Sequence, residues 1–544
     1  MRIALLLCSV LMSATYVHAS TSPITAVQAR AVLSQRFDGD RSGACAVAAV
    51  LHQDTQVLAS YCPVGPGPST TDRFEIGSVG KTMLAVLVAK LVKDGAWTLD
   101  DPISKHLPEV RQASRVAAIT VRQLLTHTSG LPALPSGFVP ADPQDPYAGV
   151  TPDWLLKTLA GERPATAPGT SRAYSNYGAM VLSVAVERAM GGDLQQAFDR
   201  TLFAPLGMAS TGLATPASPS PLAGRAANGQ PASRWTSRAS IAGVGLVTST
   251  LEDMVRYVRG HFREGTDPVG SLLAMTREQA SASSGMAWQL SSIGGRQWAV
   301  HEGATGGFSS FMAIDAAARR AVVVLASASL TDVGGLSDVG LALLQLAPHP
   351  PPREPTRAPE ALISAMPGDY IVAGTLMTVT AKSGRLYAAI GSAAPLELLH
   401  DSRGDLYLKE VPANITPTLV DGKVQGFLWR QGGGVVVAER SAPAAGPISA
   451  ASAPPPPASP ERLDGLIGSY QLSPGFELRV FREGSQMRVQ ASGQDAVPVS
   501  PASENRLVAP VLNLTLDFER DTQGKAVRLV LRQQGQTLNG HRRD

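Results

Sequence analysis

Apolar positions in the first quarter of the chain predict one long helix that begins beside a serine. Between positions 84 and 92, apolar side chains recur at intervals of three and four and share one helical face: Leu84, Leu87, Val88, Leu91 and Val92. Lys93 falls in the last turn and Gly95 follows it, which is typical of a helix end. We therefore predict a helix with Ser78 at its start and Lys81 one turn later on the same side.

The same periodicity predicts a mixture of helices and strands up to position 347. Helical patterns occupy positions 24–37, 154–160, 179–190, 251–262 and 333–346. Strand-like apolar runs occupy positions 298–304, 309–314 and 321–326. Thr120 is expected to cap a further short helix. Residues 133–150 and 215–240 are irregular, and we expect them to form the walls of a pocket.

Two short apolar runs at 44–51 and 56–61 predict a β-hairpin. If Gln53 and Asp54 form a two-residue turn, Cys45 and Cys62 lie directly opposite each other across the strands. Their α-carbons then approach closely enough for a disulfide, which an oxidising compartment favours. Two buried free thiols are the alternative, and a thiol titration of the unreduced, denatured protein separates the two.

Two proline-rich segments divide the remainder of the chain. We expect linkers at 348–360 and 442–461, followed by strand-rich segments at 361–441 and 462–544. The sequence Gly-Asp-Tyr at 368–370 returns as Gly-Ser-Tyr at 468–470, which indicates an internal repeat. Strands and turns without helical signals predict two small antiparallel β-barrels of lipocalin-like type.

Composition and charge indicate an exported globular protein. The chain has 544 residues and a net charge of +3 without a long basic cluster, so nucleic acid is not an expected partner. Arg2, an apolar core at 3–12 and small residues before Ala19 predict a signal peptide at 1–19. The expected location is therefore the periplasm or the medium. No segment is long and apolar enough to predict stable membrane insertion.

Ser78 and Lys81 form a Ser-x-x-Lys pair that suits nucleophilic catalysis. A lysine that is desolvated beside an apolar helix loses its proton more easily. It can then take the proton of the serine hydroxyl and leave a nucleophilic oxygen. The same spacing also occurs by chance in many helices, so the interpretation depends on the residues that accompany it.

Two further short motifs accompany this pair: Tyr174-Ser175-Asn176 and His301-Glu302-Gly303. In this order and at these separations, the three motifs resemble those of the penicillin-recognising serine hydrolases. That group includes the serine beta-lactamases nearest class C, D-alanyl-D-alanine carboxypeptidases, D-aminopeptidases and related esterases. The segments 124–131 and 306–310 are also similar, and the resemblance covers about residues 24–347.

The resemblance implies an α+β fold. A beta-lactamase/transpeptidase-like catalytic domain is expected at 20–347, as an antiparallel sheet flanked by helices with a helical subdomain. Ser78 is expected at the junction of the two parts, and the two barrels follow. Ser-Lys chemistry needs no cofactor, and the sequence has no His, Cys, Asp and Glu groups at zinc spacing, so no metal is expected.

The resemblance also implies roles for the site residues. Ser78 is expected to be acylated while Lys81 shares the proton transfer, and Tyr174 is a general base if nearby cations favour its phenolate. Asn176 is expected to bond the lysine and the substrate amide. The N–H groups of the nucleophile and of Ala304 are expected to bind the oxyanion of the intermediate.

The third motif departs from the Lys-Thr-Gly of typical beta-lactamases. His301 stands in the place of that lysine and is charged only part of the time near neutral pH, which argues against efficient beta-lactam hydrolysis. The alternative for His301 is a strand histidine that merely packs. Gly303 is expected to let substrate lie close to the strand, whereas Glu302 faces the opposite side. His127 is expected to be a structural histidine at a turn.

His-x-Gly is the form of the third motif in D-aminopeptidases and some esterases of the group. We therefore predict a serine hydrolase that cleaves amide or peptide bonds of short peptides, including peptides with D- or unusual residues. Exported peptidases that cut linearised microcystin are similar in size and layout. Beta-lactamase and carboxylesterase are the alternatives within the superfamily. A non-catalytic protein that binds peptidoglycan fragments is the alternative from another class, and the complete motifs argue against it.

Overall fold

The structure is a computed structural model, and the residues it describes fall into fourteen ranges. These ranges are 23–113, 115–263, 267–372, 375–391, 393–420, 422–432, 434–441, 463–473, 476–484, 486–491, 496–509, 514–521, 524–533 and 536–543. The predicted signal peptide and the second proline-rich segment lie outside them. Within the described ranges, no helix combines the length and the apolar character that a membrane span requires.

The N-terminal part of the chain is built on a six-stranded sheet. Strands up to position 356 are β1 (Ala46–His52), β2 (Thr55–Tyr61), β3 (Phe74–Glu75), β4 (Gly212–Leu213), β5 (Gly224–Arg225), β6 (Pro231–Ala232), β7 (Val247–Ser249), β8 (Gln289–Ile293), β9 (Arg296–Ala304), β10 (Ser309–Asp315), β11 (Arg320–Ala326) and β12 (Pro355–Thr356). The main sheet is antiparallel in the order β2-β1-β11-β10-β9-β8. Its central strands are buried on both faces, which explains their continuous apolar runs.

Helices cover both faces of this sheet. They are α1 (Ala26–Phe37), α2 (Gly80–Lys93), α3 (Ile103–His106), α4 (Val121–Leu125), α5 (Pro152–Gly161), α6 (Asn176–Ala189), α7 (Leu194–Phe198), α8 (Ala204–Leu206), α9 (Leu251–Gly260), α10 (Pro268–Arg277), α11 (Ser337–Leu343) and α12 (Glu360–Ala365). One apolar core joins α1 and α11 to one face of the sheet. The larger core joins the opposite face to α2, α6, α9 and α10.

The predicted helix at 333–346 is shorter in the structure. Gly334 and Gly335 adopt φ values of 102° and 69°, which lie in the left-handed region that a helix cannot continue through. A single 3₁₀ turn at Thr331–Val333 precedes them, and α11 begins only at Ser337. The apolar pattern was therefore right about the buried face and wrong about the start.

The hairpin of β1 and β2 has the predicted register. His52 pairs with Thr55, so Gln53 and Asp54 form the two-residue turn. The pairing continues to Ala46 and Tyr61, and the next residues, Cys45 and Cys62, are joined in a disulfide with their Cα atoms 4.2 Å apart.

The C-terminal part contains two eight-stranded antiparallel barrels. The first barrel comprises β13 (Gly368–Val372), β14 (Thr375–Lys382), β15 (Arg385–Ile390), β16 (Leu396–Asp401), β17 (Leu406–Leu408), β18 (Ala413–Val420), β19 (Lys423–Gln431) and β20 (Gly434–Arg440). Pairing of β16 with β17 closes its ring, and β12 adds to the edge of β16. The second, closed barrel comprises β21 (Gly468–Ser473), β22 (Phe476–Glu483), β23 (Gln486–Ala491), β24 (Val497–Ser503), β25 (Arg506–Ala509), β26 (Leu514–Arg520), β27 (Ala526–Gln533) and β28 (Gln536–Arg542).

The internal repeat extends to individual side chains. Tyr370 donates its hydroxyl proton to the Met366 carbonyl at 2.6 Å, and Tyr470 repeats this bond to Leu466 at 2.8 Å. An arginine of the last strand lies over each tyrosine ring, at 5.7 Å in the first barrel and 6.0 Å in the second. The predicted α+β fold followed by two barrels is thus confirmed.

Candidate active site

Ser78 lies in a tight turn between a short strand and the start of α2. β3 ends at Glu75, a 3₁₀ turn covers Gly77–Val79, and α2 begins at Gly80. Gly77 has φ of 52°, and a Cβ atom at this position would lie 2.4 Å from the Ala304 nitrogen. Only glycine combines this conformation with this close approach, so the turn fixes the serine against the end of β9.

The Ser-x-x-Lys pair forms a direct hydrogen bond. Lys81 Nζ donates to Ser78 Oγ at 2.8 Å and also to the Val244 carbonyl oxygen. The lysine is only 2% exposed, and this burial lowers its pKa to about 7. At neutral pH a large fraction of the amine is therefore unprotonated and able to accept the serine proton.

Tyr174 approaches the same hydroxyl from another side. Its ring centroid lies 5.1 Å from Lys81 Nζ and 4.3 Å from the centroid of the His127 ring, and the Ser78 side chain is near enough to its hydroxyl to act on its pKa. Desolvation raises the tyrosine pKa far above its ordinary value. Solvent reaches 36% of the residue and moderates this rise, but its direction opposes the phenolate expected from the sequence. The site therefore holds a neutral phenol.

His301 points into the site from β9 as a neutral imidazole. Its Nδ1 lies 2.7 Å from the Glu302 carbonyl oxygen, which can only accept, so Nδ1 carries the proton. Burial, helped by the charge of Lys81, lowers the pKa of the imidazole to about 3. His301 therefore does not replace the positive charge of the lysine found in typical beta-lactamases. The Glu302 side chain faces the other side of the strand, as expected, and bonds Ser337 at the start of α11.

Asn176 has a different partner from the one expected. It is the first residue of α6, whose N-cap is Ser175. Its Nδ2 donates to the Tyr147 hydroxyl at 3.4 Å, whereas Lys81 is bonded to Ser78 and to a carbonyl of the segment before β7. The expected bond between Asn176 and Lys81 is absent from the hydrogen bonds of the described residues.

Gly303 lies against the turn that carries Ser78. A Cβ atom on Gly303 would lie 2.1 Å from the Ile76 carbonyl oxygen and 2.9 Å from the Ser78 nitrogen. The missing side chain thus makes room for the turn that carries Ser78, and the expected approach of substrate to this strand stays a prediction. Because Gly77 is equally close to Ala304, the backbone N–H groups of Ser78 and Ala304 belong to two segments in direct contact.

His127 is a buried histidine that binds the loop carrying Tyr174 and Asn176. It has φ of 57°, is buried, and its Nδ1 accepts a hydrogen bond from the Ser175 N–H at 3.2 Å. Burial keeps its pKa well below the usual value, so it is a neutral acceptor. It holds the loop between Tyr174 and Asn176, in agreement with the structural role expected from the sequence.

Sequence reasoning missed the aromatic wall beside Asn176. Tyr147 and Trp235 pack edge to face with ring centroids 5.6 Å apart. The Asp145 carboxylate accepts hydrogen bonds from the backbone N–H of Thr236 at 2.7 Å and from its hydroxyl at 2.5 Å. This bond joins the two irregular loops that were expected to line a pocket. Aromatic residues in these loops are a sign of a pocket wall, but the loops have no periodicity that would indicate which side chains face the site.

The described residues include no group of three or more His, Cys, Asp or Glu side chains that could hold a metal ion. The chemistry available at the site is that of a desolvated amine, a serine hydroxyl, a phenol and two backbone N–H groups. This set suits nucleophilic attack on a carbonyl carbon and stabilisation of the oxyanion that results.

Comparison with known proteins agrees with this chemistry. The family model described as Beta-lactamase matches residues 30–347. The D-alanyl-D-alanine-carboxypeptidase/endopeptidase AmpH of Escherichia coli (strain K12) is 31% identical over 271 residues, which cover 48% of this chain and 69% of that protein. Penicillin-binding protein 4 of Amycolatopsis lactamdurans is 28% identical over 316 residues, which cover 52% of this chain and 80% of that protein.

Solved structures show the same fold. A beta-lactamase from Sulfitobacter sp. EE-36 superposes with a TM-score of 0.50 at 21% identity, covering 59% of this chain and 98% of the other. The family match ends at residue 347, before the first strand of the first barrel at Gly368. The chain therefore belongs to the beta-lactamase family of serine hydrolases.

Proposed function

We propose that this enzyme is a peptidase or amidohydrolase that acts on short peptides through an acyl-enzyme at Ser78. The observation that carries the proposal is the position of the Ser78 hydroxyl between Lys81, whose pKa is lowered to about 7, and the neutral Tyr174 hydroxyl. One group can accept the serine proton and the other can donate a proton. An amide substrate requires both, because its leaving amine must be protonated as it departs.

The proton path follows from these two protonation states. Unprotonated Lys81 takes the proton of Ser78 as Oγ attacks the carbonyl carbon. The Tyr174 phenol donates to the leaving nitrogen and recovers a proton from the lysine ammonium, whose Nζ lies 5.1 Å from its ring centroid. In the second half-reaction water attacks the ester, and the same groups move the protons in reverse.

The oxyanion would be held by the N–H groups of Ser78 and Ala304. Each intermediate places a negative charge on the former carbonyl oxygen, and preformed backbone donors stabilise it without reorganisation. Asn176 and the Tyr147 hydroxyl, which bond each other, would offer donors and acceptors to the peptide backbone of the substrate.

The substrate class is inferred from the relatives and from His301. One relative is named a carboxypeptidase/endopeptidase for D-alanyl-D-alanine, so short peptides with D-residues are the first candidates. Linearised cyclic peptides with unusual residues belong to the same chemical class. His301 stays neutral, so the site lacks the third-motif cation on which typical beta-lactamases rely. We also infer export, from the N-terminal sequence, and a catalytic domain at 20–347 followed by two linkers and two barrel domains.

A covalent label and a substrate panel test the proposal. The full chain is incubated with a fluorophosphonate, digested and analysed by mass spectrometry, with Ser78→Ala as control. We expect one adduct, on Ser78, and hydrolysis of D-amino-acid peptides in preference to nitrocefin and short acyl esters. A protein that forms no adduct would instead be a binding protein for peptidoglycan fragments, and preference for nitrocefin or esters would select those activities.

A further inference from the structure

A small hairpin connects the first barrel to the proposed oxyanion site. The hairpin at 224–232 consists of β5 and β6, and its base lies against the turn that follows Ala304. The Arg225 N–H is shared between the Ser327 carbonyl at 3.0 Å and the Gly307 carbonyl at 3.2 Å. A Cβ atom on Gly224 would lie 2.8 Å from the Gly307 Cα and 2.8 Å from the Phe308 ring. The hairpin and the turn are therefore in contact without room for a side chain.

The tip of the same hairpin is attached to the first barrel. Asn228 is buried, and its Nδ2 donates to the carbonyl oxygens of Leu408 and Lys409, each at 3.0 Å. Arg41 adds a bond from its guanidinium to the Ala227 carbonyl at 3.2 Å. These three bonds hold the tip in one position relative to the end of β17.

Buried ion pairs fix the first barrel to the sheet-and-helix part. Asp401 accepts from Arg41 at 2.9 Å and from Arg353 at 3.1 Å, and Arg353 also reaches Asp405 at 2.6 Å. Asn414 accepts from Arg41 at 2.5 Å and donates to Asp405 at 2.9 Å. Away from water such bonds have well-defined geometry, because a misplaced charge would remain unpaired. The barrel is thus held against the sheet-and-helix part by buried ion pairs and not only by the linker.

The residues just after the hairpin contact the segment that leads to Ser78. Trp235 follows β6, and a Cβ atom on Gly306 would lie 2.6 Å from its indole nitrogen. The Trp235 N–H donates to Glu75 Oε1 at 2.9 Å, three residues before Ser78. The hairpin and the residues that follow it therefore contact both segments whose N–H groups are proposed to bind the oxyanion.

We propose that the first barrel positions the oxyanion site through this hairpin, with Asn228 as the positioning residue. The barrel holds the hairpin tip, the hairpin base holds Gly307, and Gly307 holds the turn that orients the Ala304 N–H. Asn228 touches neither substrate nor reacting atoms. The inference rests on the proposed acyl-enzyme function for the role of Ala304, but the mechanical link from Asn228 to Gly307 does not depend on it.

Full-length variants at Asn228 test the link. Asn228→Ala removes both bonds to the barrel, whereas Asn228→Gln keeps the amide donors. Asn505→Ala is the matched control, because Asn505 accepts from Arg520 at 2.6 Å in the second barrel, away from the hairpin. We expect Asn228→Ala to slow phosphonylation of Ser78 by about tenfold, because small displacements in a catalytic site reduce its rate. The KM for a peptide substrate should stay unchanged, and Asn228→Gln should restore part of the rate.

Hydrogen–deuterium exchange of residues 303–308 is the second measurement, and it needs no substrate. Asn228→Ala should accelerate exchange in this segment several-fold, and Asn505→Ala should leave it as in the unaltered protein. Unchanged exchange and unchanged phosphonylation in Asn228→Ala would overturn the proposal. If the unaltered protein forms no adduct at all, the proposed function fails, and exchange alone then decides whether the barrel holds the turn. A uniform loss of protection over the whole chain would mean that Asn228 serves folding, and would also overturn it.

Discussion

At the scale of single residues, burial determines which groups of the site carry charge. It lowers the pKa of Lys81 and of His301 and raises that of Tyr174, so each group is driven towards its neutral form. When a proton passes from one neutral group to its neutral neighbour, the two charges that form lie side by side. Neither charge is then buried without a partner, which keeps the cost of the transfer low. The chemistry of the site thus follows from desolvation more than from the individual motifs.

The first prediction concerns the pH dependence of acylation. Lys81 accepts the serine proton only when it is unprotonated, so the acylation rate should rise with pH through a midpoint of about 7. The rate is measured as phosphonylation of Ser78 between about pH 5 and 9, where the fold is checked by circular dichroism. His301→Asn should keep the midpoint, because the imidazole is already neutral in this range. A midpoint near that of an ordinary lysine, or one that moves with His301→Asn, would contradict the assignment.

The second prediction separates the hydroxyl of Tyr174 from its ring. Tyr174→Phe keeps the packing against His127 and Lys81 but removes the proton donor. We expect kcat for an amide substrate to fall by about 10²–10⁴-fold, the usual contribution of a general acid or base. An activated ester with a good leaving group should lose much less, since its leaving oxygen needs no proton. Equal losses for both substrates would show that the hydroxyl does not protonate the leaving group.

At the scale of secondary-structure elements, local rules predicted most of what surrounds the site. The apolar face of α2, the N-cap at Thr120 and the β1–β2 turn follow from residues a few positions apart. Such rules could not predict contacts between segments that are distant in the sequence. The partner of Asn176 is Tyr147, a residue of an irregular loop, and Lys81 bonds a backbone carbonyl that any residue type could supply.

Gly303 also shows that the reason for a residue type can lie in a distant segment of the chain. Gly303 is explained by the Ile76 carbonyl, which is more than two hundred positions away in the sequence. The motif indicated that glycine mattered there and suggested substrate as the reason. Only the folded chain reveals that the neighbour is the turn of the nucleophile.

The third prediction tests this contact. In Gly303→Ala the new Cβ atom would lie 2.1 Å from the Ile76 carbonyl oxygen, so one of the two backbone segments must move. We expect a loss of about 1–3 kcal/mol in the free energy of unfolding, as for other overpacked sites, and a loss of most phosphonylation of Ser78. Gly161→Ala is the control, because no atom lies within 4 Å of a Cβ at that helix-end position. Denaturant unfolding and labelling rates measure both effects, and a Gly303→Ala enzyme of normal stability and rate would refute the explanation.

At the scale of the whole molecule, the sequence predicted the order of the parts but not how they join. Proline-rich segments and the repeated glycine-tyrosine motif were sufficient to predict two barrels. The interface depends on Arg41, Arg353 and Asp401, charged residues that in sequence look like ordinary surface positions. Their burial arises only because segments some 360 positions apart meet, as in the bond between Arg41 and Asp401.

The last prediction concerns the stability of this interface. Asp401 is fully buried and accepts from two arginines, so Asp401→Ala removes the carboxylate that pairs with Arg41 and leaves Arg353 with Asp405 alone. Removing one partner of a buried ion pair costs about 3–5 kcal/mol, because the remaining charge stays desolvated. We expect the first barrel to detach in a separate transition at lower denaturant concentration, observed through Trp429, which lies in β19 of that barrel.

The exposed pair of Arg122 and Asp100 provides the control for that experiment. The two side chains bond at 2.7 Å but are solvent-exposed, so Arg122→Ala should cost about 0–1 kcal/mol and keep the unfolding curve of the unaltered protein. If Asp401→Ala unfolds in the same single transition and at the same midpoint as the control, the buried ion pairs do not hold the barrel. A separate early transition accompanied by slower phosphonylation of Ser78 would connect the interface to the active site. Arg41, which bonds both Asp401 and the Ala227 carbonyl, joins this interface to the hairpin at 224–232.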